Sequence, residues 1–125
     1  MKSRKDPKDL LDSAARERMR AAGAWMQNVR KKRGLSQQQL ATALGLKRLQ
    51  SLSQIETGYV RLNPDLFRLW SQAMGLPERD VAQLLMSFYT PDLYRILFDG
   101  SPPDPEFDFP VAPIERRLEP SKGDL

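Results

Sequence analysis

The stretch GLSQQQLATALGLKRLQSLSQIETG, residues 34–58, constrains this chain more than any other part of it. Ser36 reads as an N-cap, and Gln39 three residues on completes a capping box. A helix is predicted over residues 37–44, with Leu40, Ala41 and Leu44 turned inward. Gly45 stops it. After a short turn a second helix is predicted over about residues 49–57, and Gly58 ends it. Its Leu52 and Ile55 point into a core, which leaves Gln50, Ser51 and Gln54 facing outward. Gln50 and Gln54 lie one turn apart on the same side.

The surrounding chain is helical in pattern, with no strand signal and no internal repeat. Asp6-Pro7 is a helix start: a capping carboxylate, then proline at the first helical position. From there to Lys32, apolar residues from Leu10 to Val29 recur at three- and four-residue steps. Gly23 is expected to split this run into an N-terminal extension and a first domain helix. Lys31, Lys32 and Arg33 suit the negative end of its dipole. Asn63-Pro64 opens a helix to Met74 with Leu66, Leu69, Trp70 and Ala73 apolar. Pro77 opens another through Val81, Leu84, Leu85 and Phe88, and Thr90-Pro91 a last one to Phe98. The expected core is Trp25, Val29, Leu40, Leu44, Leu52, Ile55, Leu66, Leu69 and Trp70. Six prolines then fall between Pro102 and Pro120, mixed with acids. Such a composition forms no packed core and reads as disordered.

Composition removes whole classes of chemistry. The 125 residues include no cysteine and no histidine. Disulfides and thiolate nucleophiles are excluded, and so are the commonest general base and the commonest metal ligands. No glycine-rich phosphate loop or metal spacing is present, so neither an enzyme nor a cofactor is expected. No apolar run is long enough to cross a membrane, and the basic N-terminus lacks the apolar stretch of a signal peptide. A cytoplasmic protein is expected, nucleoid-associated when bound to DNA. The net charge of +4 is unevenly spread. Residues 1–35 carry eleven Lys/Arg against four Asp/Glu, a balance of +7. Residues 99–125 carry three against seven, a balance of −4. A basic front end suits a polyanion.

Gly34-Leu35-Ser36-Gln37, Leu40-Ala41, Leu44-Gly45 and the run from Ser51 to Gly58 together resemble the lambda-repressor-like (XRE, or Cro/C1-type) helix-turn-helix family. The resemblance covers about residues 24–88. It implies an all-α fold: a domain of about five helices, extended by extra N- and C-terminal helices and followed by a disordered, Pro-rich acidic tail. The expected divisions are a basic arm and extension helix at 1–20, the helix-turn-helix domain with its C-terminal helices at 21–98, and the tail at 99–125. The turn Gly45-Leu46-Lys47-Arg48 is one residue longer than the family pattern, so the second helix is anchored from Ile55, Glu56 and Gly58.

On that register the resemblance implies that Gln50, Ser51 and Gln54 read DNA bases. Glutamine can accept from adenine N6 and donate to N7. Gln37, Tyr59 and Arg61 are implied as phosphate contacts, with Lys47 and Arg48 in the longer turn reaching phosphate, or Arg48 a guanine. Arg30 late in the first helix and Glu56 are implied as a structural ion pair. The partner is double-stranded DNA, read by a homodimer, with the apolar residues from Val81 to Phe98 either forming a dimer surface or capping the monomer core. The function expected is sequence-specific transcriptional regulation, as repressor or activator, with RNA polymerase or another protein engaged through the C-terminal region. The alternative is an antitoxin-type interaction protein whose helix-turn-helix autoregulates while its tail binds a protein partner. Pro105-Glu106-Phe107-Asp108-Phe109-Pro110-Val111 alternates acids with aromatics. It reads either as a docking segment or as an acidic end that shields the basic domain.

Overall fold

In a computed structural model, the described residues are 7–98, 100 and 102, with side chains from residue 13. The expected basic arm before Pro7 and the aromatic-acidic run of the tail lie outside them. Six α-helices are present among the described residues: α1 (Pro7–Lys32), α2 (Gln37–Leu44), α3 (Leu49–Glu56), α4 (Phe67–Met74), α5 (Glu78–Tyr89) and α6 (Pro91–Leu97). One 3₁₀ turn, Pro64–Leu66, leads into α4. There is no strand among them.

α1 crosses both α3 and α5, α2 packs on α3 and α4, and α6 folds back on α5. The core they enclose includes Trp25 and Met26 from α1, Leu40 and Leu44 from α2, and Leu52 and Ile55 from α3. Trp70 and Met74 of α4 and Val81, Leu84 and Leu85 of α5 complete it. Trp25 and Trp70 lie ring against ring, with centroids 5.3 Å apart.

Four expectations are corrected by this packing. Gly23 does not break α1, which runs unbroken for 26 residues across the expected 20/21 boundary. A Cβ on Gly23 would stand 2.5 Å from the Glu56 carbonyl oxygen. Glycine is there because the end of α3 rests on it. Leu69 is not core but 41% exposed, while Val29 and Leu66 are only partly buried. α4 instead buries Phe67, Trp70, Ser71 and Met74. Ser71 fits inside because its hydroxyl donates to the Phe67 carbonyl at 2.7 Å, which satisfies it within the helix. Finally, Val81, Leu84 and Leu85 belong to the monomer core and offer no dimer surface; the apolar side chains left outside are Leu93, Ile96 and Leu97 of α6.

Candidate functional site

The site is built around α3, and α1 and α2 hold that helix in place. The Glu56 carboxylate accepts from Arg30 Nε at 2.8 Å and Nη2 at 3.1 Å, a two-pronged pair between α1 and α3. Arg30 Nη1 donates to the Leu35 carbonyl at 2.8 Å, so a third guanidinium nitrogen is also used. Gln37 Nε2 donates to Glu56 Oε1 at 2.9 Å and ties in the first turn of α2. Arg30 and Glu56 are both buried. A carboxylate out of water demands such partners, and partners at these distances fix the angle at which α3 leaves the domain.

α2 starts where its sequence says it should. Ser36 Oγ accepts from the Gln39 amide at 3.0 Å, and the Ser36 amide donates to Gln39 Oε1 at 2.8 Å. Gly45 then takes a left-handed φ of 74° and turns the chain toward α3. In the longer turn, Leu46 packs against the core while Lys47 and Arg48 stay exposed. After this turn the chain enters α3. Leu52, Ile55 and Glu56 are its buried positions. Gln50 is exposed, and Ser51 and Gln54 are half-buried at the edge of the same accessible face. Leu49, at the start of the helix, is exposed too.

That face carries amides and hydroxyls but no charge, because the single ionised residue of α3 is Glu56, which is turned inward. Cations flank it at both ends. Lys47 and Arg48 precede α3; Tyr59, 80% exposed, and Arg61 follow it. α3, eight residues and about 12 Å long, lies between the two groups in the chain. None of Lys47, Arg48 and Arg61 is paired with a carboxylate among the described residues. Gln37 sits apart from both groups, at the start of α2, with one amide proton committed to Glu56 and one to spare. No group of metal-ligating side chains occurs among the described residues.

Two contacts had no counterpart in the sequence reading. The Arg61 guanidinium lies over the Tyr89 ring, 5.9 Å from its centroid. The Tyr89 hydroxyl accepts from the Leu62 amide at 3.1 Å. Together they pin the loop after α3 to the end of α5. The signal was present in part, since Tyr89 follows the α5 apolar stripe at a four-residue step from Leu85; its partner 27 residues away was not legible.

Residues 26–81 match a protein-family model described as Helix-turn-helix. Neither a search of curated proteins nor one of solved structures returned a match.

Proposed function

Because residues 26–81 belong to the XRE, lambda-repressor-like helix-turn-helix family, a family of DNA-binding regulators, we propose that this protein is a sequence-specific transcriptional regulator that lays α3 in the major groove. The observation that carries the reading is the accessible, uncharged amide face of α3 bearing Gln50 and Gln54. In the groove, a side-chain amide can meet adenine with two hydrogen bonds, and Ser51 can serve a base edge or a phosphate. Sequence information comes from these residues. Lys47, Arg48, Tyr59 and Arg61 neutralise or bond phosphates and set the register. Gln37 adds its spare amide proton beside the free N–H groups at the start of α2.

A helix-turn-helix protein reads two half-sites about one helical turn apart when it is dimeric. Leu93, Ile96 and Leu97 lie at three- and four-residue steps on α6 and are all exposed. They are the apolar face on which two copies would meet. Occupancy of such a paired site changes the access of polymerase to a promoter.

Selection from a random duplex library at fixed salt tests the reading. The expected result is enrichment of a short A·T-containing motif. Gln54→Ala is expected to cost about 1–3 kcal/mol on the enriched duplex and little on random DNA. Arg61→Ala is expected to weaken both and to flatten the salt dependence. Enrichment of no motif would refute base reading.

A further inference from the structure

A cleft of about 270 Å³ opens between the loop after α3 and the start of α6. Its walls are almost wholly carbon, from Leu62, Pro64, Phe67, Met86 and Leu93 among others. An apolar cavity of about 150 Å³ holds a benzene ring, so this one has room for an aromatic side chain. Carbon walls offer no bond to a polar group, and they suit an occupant that brings carbon alone. Of the exposed leucines and isoleucine of α6, only Leu93 lines the cleft.

The chain itself carries such an occupant within reach. Gly100 and Pro102 line a second hollow together with Ser87, Pro91, Tyr94 and Arg95. The chain that leaves α6 is therefore held beside that helix. Pro91 of the second hollow is the chain neighbour of Thr90, which lines the carbon cleft. Residues 103–125 follow, outside the described residues. Phe107 comes five residues after Pro102, a reach of up to about 17 Å. That exceeds α6 itself, which is about 10 Å long for its seven residues. A tether so short keeps the segment at an effective concentration on the order of millimolar, so weak intrinsic affinity is enough.

The composition of the segment matches the walls. Glu106-Phe107-Asp108-Phe109 alternates acids with rings. In an extended chain alternate residues face opposite ways, so one side would be aromatic and the other carboxylate. The rings suit the carbon lining, and the acids stay in water. Net charge draws the two parts together. Residues 1–98 carry seventeen Lys/Arg against nine Asp/Glu, a balance of +8, whereas residues 99–125 have a balance of −4.

We propose that the carbon cleft beside α6 binds the chain's own tail, through the side of it that carries Phe107 and Phe109. The consequence for DNA rests on the reading above, in which Arg61 contacts a phosphate. Arg61 belongs to the loop that borders the cleft, and its exposed guanidinium lies over the Tyr89 ring. A docked tail brings Glu106 and Asp108 to that border, where their charge repels a phosphate. The docked tail thus lowers DNA affinity.

The full chain has no cysteine, so Ala112→Cys accepts a single nitroxide label. The expected result is at least twofold broadening of the Met86 and Leu93 methyl signals, with Leu40 on α2 unaffected. Phe107→Ser with Phe109→Ser, in the tail and outside the core, is expected to abolish the broadening. Unbroadened Met86 and Leu93 methyls overturn the site, as does broadening that survives loss of both rings. Labelled chains mixed with unlabelled, isotope-enriched chains are expected to leave the enriched methyls sharp. Broadening in that mixture overturns the proposal by giving the cleft to the tail of a second copy. A separate arm measures affinity for the enriched duplex. The double serine variant is expected to bind it severalfold more tightly than the wild type. Unchanged affinity overturns the regulatory role alone, whereas failure to enrich any duplex overturns the DNA reading and leaves the methyl result standing.

Discussion

At the scale of single residues, Glu56 has the largest structural consequence. Its carboxylate collects two bonds from Arg30 and one from Gln37, all from other helices. Glu56→Ala leaves a buried guanidinium with the Leu35 carbonyl as its remaining partner, and is expected to cost about 3 kcal/mol in urea unfolding. Replacing Arg30 and Glu56 together by methionine is expected to cost far less, because no charge is then stranded. Equal losses for the single and double variants would contradict this. Tyr89 links stability to pH. Burial raises its phenol above the ordinary 10.0, against the lowering effects of the Leu62 amide and the Arg61 charge. The fold therefore favours the neutral phenol. That contribution is whole below pH 10 and is lost as pH rises through the folded-state value. Tyr89→Phe orphans the Leu62 amide and is expected to cost about 1–2 kcal/mol at neutral pH. Above pH 10 its stability should fall less steeply than that of the wild type, which thermal melts across that range would show.

At the scale of elements, the contact between α1 and the end of α3 decides how the domain closes. Gly23 meets the Ile55 and Glu56 carbonyls, and Gly58 lies where a Cβ would stand 2.6 Å from the Arg20 Cα. Neither site has room for a methyl group. In a free helix interior, Gly→Ala gains about 1 kcal/mol. Gly23→Ala reverses that sign, because the added carbon meets backbone that cannot turn aside, and overpacking of this kind costs about 1–3 kcal/mol. A raised melting temperature for Gly23→Ala would show that α1 and α3 can separate freely. The middle of α1 also reaches α5, since Arg18 Nε donates to the Phe88 carbonyl at 3.1 Å. The expected extension helix and first domain helix are one element, held against α3 at Gly23 and against α5 at Arg18.

At the scale of the whole molecule, the helices form a packed body, and α6 adds an outward apolar face to it. α5 spends Val81, Leu84 and Leu85 on the body, whereas α6 buries Tyr94 and leaves Leu93, Ile96 and Leu97 outside. Ile96 is 78% exposed, so Ile96→Glu is expected to leave the melting temperature of the monomer unchanged. If the α6 face joins two copies, the same change shifts sedimentation to the monomer and lowers affinity for a paired site about a hundredfold, with a single half-site unaffected. Wild-type protein that sediments as a monomer at DNA-binding concentrations would remove the dimer. The charge distribution acts at this scale too. The cations around α3 carry no described carboxylate partners and stay available to a polyanion, and no helix among the described residues is long and apolar enough to cross a membrane.

What the residues determined by themselves was the local grammar of α2, its turn and α3. A capping box, a left-handed glycine and an apolar step of three or four are read within a few residues of one another, and each forces the same local geometry wherever it occurs. The outward face of α3 followed, because Leu52 and Ile55 leave it no other orientation. Tertiary structure alone decided the matters in which one local pattern admits two partners. Leu69 and Ser71 both flank Trp70, and it took the position of α4 in the bundle to put the serine inside and the leucine out. Gly23 reads as a helix breaker by propensity, and becomes a contact surface only once the end of α3 is laid against it. The apolar stripe of α5 could cover its own domain or a second copy; the packing of α1 and α4 on it selected the first. Burial depends on what stands opposite a side chain, and what stands opposite comes from residues far along the chain.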